Sequence, residues 1–200
     1  MHPAAAFRET DPPRLRALVA ARGLAMIIGV TGAGPRAAHA PVLLDDDRLR
    51  FHLSAANALC VALRDGGPAL AVVNGPDAYV SPDWYGTPDQ VPTWNYVSAE
   101  AEGPVRVMDR GETITLLDDL SARFEARLAP KPAWTREKLS SRNFEMLLAG
   151  IIGFEMRIER LEGIAKLSQN KPVEVIERVA RQLEMRDDHA SREIAALMKV

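Results

Sequence analysis

Cysteine is nearly absent from these 200 residues: Cys60 stands alone, so no disulfide can form within the chain. It lies in the run Asn57-Ala58-Leu59-Cys60-Val61-Ala62-Leu63, without an adjoining cation, which predicts a small buried thiol and not a reactive one. Charge of one sign is not in excess either. Lys+Arg number 25 and Asp+Glu 27, giving a formal net charge of -2 and a sequence pI near 6.1. That balance supplies no general attraction to nucleic acid or to anionic membranes. Long apolar runs are missing. Gly23 to Gly34 is the longest weakly polar stretch, and it is glycine-broken and short of the roughly 20 residues that span a bilayer. Met1-His2-Pro3 lacks the basic-then-apolar order of a signal peptide. The expectation is a cytoplasmic protein without a membrane partner.

Familiar catalytic signatures are missing as well. There is no glycine-rich phosphate loop with its lysine, no cysteine pair for zinc and no serine in a nucleophile elbow. Gly32 and Gly34 do not open a dinucleotide site, because a strand pattern follows them in place of a helix. Asp45-Asp46-Asp47 reads as a solvated turn, since no later carboxylate stands at calcium-loop spacing. Of the four histidines, His2 is terminal and His189 lies in a polar tail, whereas His39 and His52 sit on neighbouring strand candidates that could face one another. No further ligand is spaced to complete a metal site with them.

What is present divides into strands and flanking helices. Pro12-Pro13 with Leu15, Leu18 and Val19 predicts a helix that Asp11 can cap and Gly23 ends. Strand patterns follow at Leu24 to Val30, His39 to Leu44 and Leu49 to Leu53, with turns at Thr31 to Pro35 and at the aspartates. Asn57 to Arg64 reads as a short helix. Ala69 to Asn74 and Ala78 to Val80 read as strands kinked apart by Gly75-Pro76, and Thr93 to Val107 as a long strand. Asp109 with Glu112 forms a capping-box pattern before a helix with Leu117, Leu120 and Phe124 on its apolar face. A helix near Arg136 to Met146 and a strand from Ile151 to Ile158 complete this part. Strands joined largely by tight turns predict an α+β chain built on an antiparallel β-barrel.

The tail differs. Val173, Ile176, Val179 and Leu183 recur at helical spacing after Pro172, and Asp187-Asp188 separates a second helix carrying Ile194, Leu197 and Met198. Acidic residues interrupt the positive charge a DNA-reading helix would present, so packing on the barrel or on a second subunit is expected over DNA contact. Aromatic residues make up only 6%, yet all three tyrosines and two of three tryptophans fall between Tyr79 and Tyr96. Flat apolar walls interleaved with Ser81, Thr93 and Asn95 suit either a rigid corner or a planar organic ligand.

Six segments occur in order: His39-Ala40-Pro41, His52 to Asn57, Tyr79 to Tyr85, Val91 to Tyr96, Gly150 to Glu155, and Lys166-Leu167-Ser168-Gln169-Asn170. Together they resemble the PaiB-type family of FMN-binding proteins, described as negative transcriptional regulators, over nearly the whole chain. The resemblance implies a split antiparallel β-barrel of the FMN-binding type, with peripheral helices and a C-terminal helical tail. It implies a homodimer with FMN at the subunit interface. On that frame residues 1–165 form the FMN-binding domain and residues 166–200 a helical extension. Cofactor contacts are expected from His39, His52, Ser54 and Asn57, and from Trp94, Asn95 and Tyr96. Trp84 would line the ring pocket or brace the barrel end. Lys166, Ser168 and Gln169 would reach the phosphate or ribityl chain, with Asn170 equally suited to cap the following helix.

One departure stands out. The family pattern carries an arginine where this chain has Ala55, in Ser54-Ala55-Ala56-Asn57-Ala58. Losing a charged hydrogen bond costs about 1.5–3 kcal/mol, so another cation must hold the phosphate or FMN binds weakly. Arg36, Arg64 and Lys166 are the candidates. Three functions remain open: a flavin-binding regulator acting on DNA or a regulatory partner, a flavin oxidoreductase using NAD(P)H, and a dimeric module that has lost its flavin.

Overall fold

The computed structural model describes residues 4–199, so His2 lies outside them. In chain order the elements are β1 (Arg8–Glu9), α1 (Pro12–Arg22), β2 (Leu24–Thr31), β3 (Gly34–Asp45), β4 (Arg48–Ser54), α2 (Leu59–Arg64), β5 (Pro68–Val80), β6 (Thr93–Val107), α3 (Arg110–Glu125), α4 (Ser141–Ala149), β7 (Ile151–Arg157), β8 (Arg160–Lys166), α5 (Val173–Glu184) and α6 (His189–Leu197). The strands form a sheet of order β1-β8-β6-β5-β2-β3-β4-β7, with an additional pairing of β6 to β7. The chain is therefore α+β, as its turn-linked strand patterns predict. Contacts divide it into two compact units, each assembled from separate stretches of sequence.

The first unit, Val19–Val73 with Glu100–Leu161, holds the barrel. Here β2 pairs with β3 and β5, β3 with β4, β4 with β7, and β7 with β6, all antiparallel. With β5 beside β6 the ring closes. The alternation of β4 shows why: Leu49, Phe51 and Leu53 are buried, while Arg48, Arg50, His52 and Ser54 lie on the other face. Cross-strand partners Phe51 and Phe154 stack at 5.5 Å between centroids, and Leu49 faces Met156. The turn between β3 and β4 places Asp46 at φ 47, a conformation that aspartate tolerates. Helix α3 opens with the predicted capping box between Asp109 and Glu112 and lies against β7. Gly153 permits that contact, because a Cβ there would sit 2.5 Å from Thr113 Oγ1.

The second unit is assembled from residues up to Leu18, Asn74–Ala99 and Glu162 onward. Strand β1 pairs with β8 through Arg8↔Ile164. The amphipathic helices α5 and α6 bury Val179, Leu183, Ile194 and Ala195 together with Ala78, Val80 and Tyr85. Asp188 caps α6 by accepting from Ser191 N.

Several expectations change. Gly75-Pro76 does not interrupt β5, which runs unbroken from Pro68 to Val80. The helix expected from Arg136 to Met146 is a 3-10 turn at Arg136–Lys138 followed by α4, which Ser140 caps. Asn170 does not cap α5; Pro172 takes that position without a side-chain bond, after a turn in which Lys171 N donates to Ser168 O. Strands β1 and β8 lie where no strand pattern is legible.

Among the described residues, no helix is long and apolar enough to cross a membrane, and no group of three or more His, Cys, Asp or Glu is placed to hold a metal ion.

Candidate functional site

In the barrel unit the expected residues cluster where β4 leaves the sheet. His52 and Ser54 share the outer face of β4, opposite Gly153 and Ile151 of β7. His52 Nδ1 is buried and has no hydrogen-bond partner, and burial holds the imidazole below its usual pKa, favouring the neutral ring. A neutral imidazole with an unengaged nitrogen is equipped to accept from, or donate to, a ligand. The chain then turns: Asn57 N donates to Ser54 O, Asn57 Oδ1 accepts from Leu59 N at 2.9 Å, and Ala56 N approaches Ser54 Oγ at 3.4 Å. This leaves the Ser54 hydroxyl hydrogen and Asn57 Nδ2 for other partners. Cys60 lies beneath, its Sγ donating to Ser54 O at 3.2 Å, and burial pushes the thiol pKa up. His39 is exposed and pairs with Met26 of β2; the β3–β4 ladder ends at Val42↔Phe51, so the two histidines are not cross-strand partners.

A cavity of about 260 Å³ opens beside this turn, where Ile151 pairs with Ser54 and Gly150 O accepts from Ala55 N. Its walls include Ile151, Ile152 and Met108, and two arginines reach it: Arg64 from the end of α2 and Arg110 from the start of α3. Arg110 Nη2 donates to Glu145 at 2.5 and 2.6 Å, whereas Arg64 forms no hydrogen bond or ion pair among the described residues. Sequence reasoning names Arg64 as a cation in reserve. It misses Arg110, which stands far along the chain and follows a helix cap that carries no sign of a ligand.

In the second unit the expected polar residues are engaged internally. Asn95 is fully buried, and its amide exchanges hydrogen bonds with Ser168 Oγ at 3.0 and 3.1 Å. Gln169 Oε1 accepts from Leu167 N, and its Nε2 donates to Ala6 O and Ala165 O. Lys166 Nζ donates to Thr93 Oγ1 and to Trp94 O, both at 2.6 Å, and burial holds its pKa below the usual lysine range. The rings behave differently. Trp94 is 53% exposed and meets Tyr79, 48% exposed, edge-on at 6.0 Å. Tyr96 is half-buried. Trp84 packs against the buried cluster of α5 and α6, and Tyr85 is inside it. The structure thus brings His52, Ser54 and Asn57 together in one unit. In the other it joins Asn95 to Ser168 and Lys166 to the Trp94 backbone.

Comparison with known proteins follows the same line. A family model described as "Putative FMN-binding domain" matches residues 1–160. The protease synthase and sporulation protein PAI 2 of Bacillus subtilis is 26% identical over 96% of this chain and 94% of its own length. An uncharacterized protein of Emericella nidulans is 35% identical over 50% of this chain and 45% of its own. Among solved structures, a FAD- and heme-binding protein from Mycobacterium smegmatis superposes with a TM-score of 0.59 at 24% identity, covering 80% of this chain and 73% of that one. A flavocytochrome from Azotobacter vinelandii gives 0.58 at 16% identity, over 82% and 72%. These likenesses identify the fold as a split barrel.

Proposed function

This chain belongs to the FMN-binding domain family matched over residues 1–160, and from that premise we propose that it binds FMN as a homodimer and acts in regulation through the flavin's redox state. The observation that carries the reading is the orphaned His52 Nδ1 beside the unengaged Ser54 and Asn57 groups. Such an unpartnered buried nitrogen is costly unless a ligand meets it. His39, His52, Ser54 and Asn57 fit the ribityl and phosphate end of FMN. Trp94 and Tyr96 fit its ring, supplied by a second copy. When bound, the flavin supplies the electron-transfer chemistry, and the residues around it fix its position and exclude water.

The dimer is supported by α4, an amphipathic helix with no buried residue, on which Met146 and Leu147 are exposed. The family match supports assigning flavin binding to residues 1–165 and treating residues 166–200 as an extension. An indirect regulatory role, through a partner protein, is favoured over DNA contact. Charges on the tail helices pair with one another, Arg181 with Glu177, Arg186 with Asp188 and Lys199 with Glu184, leaving little net positive surface.

The purified full chain tests this reading. It should show a flavin spectrum on titration with FMN and sediment as a dimer, and His52→Ala should weaken FMN binding about tenfold. A chain that binds no flavin refutes it. Bleaching of bound flavin by NADPH or NADH at a catalytic rate would move the function to an oxidoreductase.

A further inference from the structure

The turn Ser54-Ala55-Ala56-Asn57 offers hydroxyl and amide donors but no cation, and a phosphate monoester at neutral pH carries nearly two negative charges. Of the three cations that the sequence leaves in reserve, two are unsuited. Lys166 is engaged by Thr93 and the Trp94 carbonyl, and its pKa is lowered. Arg36 is exposed next to the β2–β3 hairpin turn and donates to its neighbour Pro35 O. Arg64 is different: it opens on the cavity beside the turn and has no hydrogen-bond or ion-pair partner among the described residues.

We infer that the cavity between the end of α2 and the start of α3 is an anion site for a phosphate monoester, with Arg64 and Arg110 replacing the cation missing at Ala55. The inference rests on the flavin reading for its natural ligand, the FMN phosphate, but the site's chemistry is that of any phosphate. Ile151 ties the cavity to the turn through its pairing with Ser54, and its roughly 260 Å³ exceeds what a phosphate needs. The nearby acids do not cancel both arginines. Asp109 and Glu112 are locked in their capping box, and Glu112 is further held by Arg106. Glu145 does oppose Arg110, but both side chains are more than half exposed. A dianion approaching two guanidinium groups outcompetes one solvated carboxylate. The site would therefore distinguish FMN from riboflavin, which lacks the phosphate.

Flavin fluorescence gives the test, with FMN and riboflavin titrated separately into the full chain and into Arg64→Ala, Arg110→Ala and Glu145→Gln. Thermal melts confirm that each variant folds. Each arginine variant should lose about tenfold in FMN affinity and leave riboflavin affinity unchanged. Arg64→Lys should recover part of the loss, and Glu145→Gln should tighten FMN binding by freeing Arg110. An FMN-to-riboflavin ratio that stays the same in both arginine variants overturns the inference while leaving the flavin reading intact. If the wild-type chain binds neither flavin, titration with inorganic phosphate followed by phosphorus NMR decides. Phosphate binding lost in Arg64→Ala supports the anion site and refutes the flavin reading; no phosphate binding refutes both.

Discussion

Glu112 closes the α3 cap and bonds Arg106 as well, and these contacts, the Arg106 bond first, lower its pKa to about 2. A carboxylate depressed in the folded state stabilises the fold above its unfolded pKa, and that contribution fades as pH falls from about 4.5 towards 2. Because both side chains remain substantially exposed, solvent screening limits the pair to about 1 kcal/mol. Glu112→Gln should therefore lower the melting temperature at pH 7 and leave it nearly unchanged at pH 2, which thermal denaturation across that range measures. Gly153 makes a second residue-level prediction. Thr113 is buried and its hydroxyl donates to Asp109 O at 2.8 Å, so it cannot swing away from a new methyl group. Gly153→Ala should cost about 1–3 kcal/mol, and adding Thr113→Ala should recover part of it in denaturant titrations. The Gly153 effect is not visible in sequence, where Gly153 reads as one residue of a strand pattern. The capping box, by contrast, is legible because its whole geometry lies within four consecutive positions.

Local signals also decide which elements can be read in advance. β2, β3, β4 and β6 show themselves by apolar residues bounded by turn formers, and α5 by Val179 and Leu183 at helical spacing. β8 does not: Arg160-Leu161-Glu162-Gly163-Ile164-Ala165-Lys166 has neither alternation nor a long apolar run, and its place in the sheet comes from partners distant in sequence. The Gly75-Pro76 pair looks like a break but is carried inside β5. There Gly75 allows close approach, a Cβ at that point falling 2.9 Å from Val97 O. The tail helices carry a stability prediction. Leu183 is fully buried among residues of α5, α6 and β5, so Leu183→Ala should cost about 2–5 kcal/mol in chemical denaturation. Asp188→Ala, which removes the α6 cap, should cost about 1 kcal/mol.

At the scale of the molecule, family and barrel were legible because six short motifs retain their order. The cavity beside Ser54 was not, because it gathers side chains from α2, α3 and β7 that no local pattern connects. Assembly provides the matching prediction. With Met146 and Leu147 exposed on α4, the proposed dimer predicts that Leu147→Glu sediments as a monomer and binds FMN more weakly than the unaltered chain. The closure of the barrel through β6 and β7 bears on self-association of another kind. Every barrel strand bonds to two others, but residues 34–41 of β3 pair with β2 alone because the ladder to β4 begins at Val42, and the β1 end of the strand order is a strand of only two residues, Arg8–Glu9. Pro35 and Pro41 carry no amide hydrogen and interrupt that one-sided stretch of β3, so a foreign peptide in extended form meets a broken row to template upon and fibril seeding should be slow until the ring unfolds.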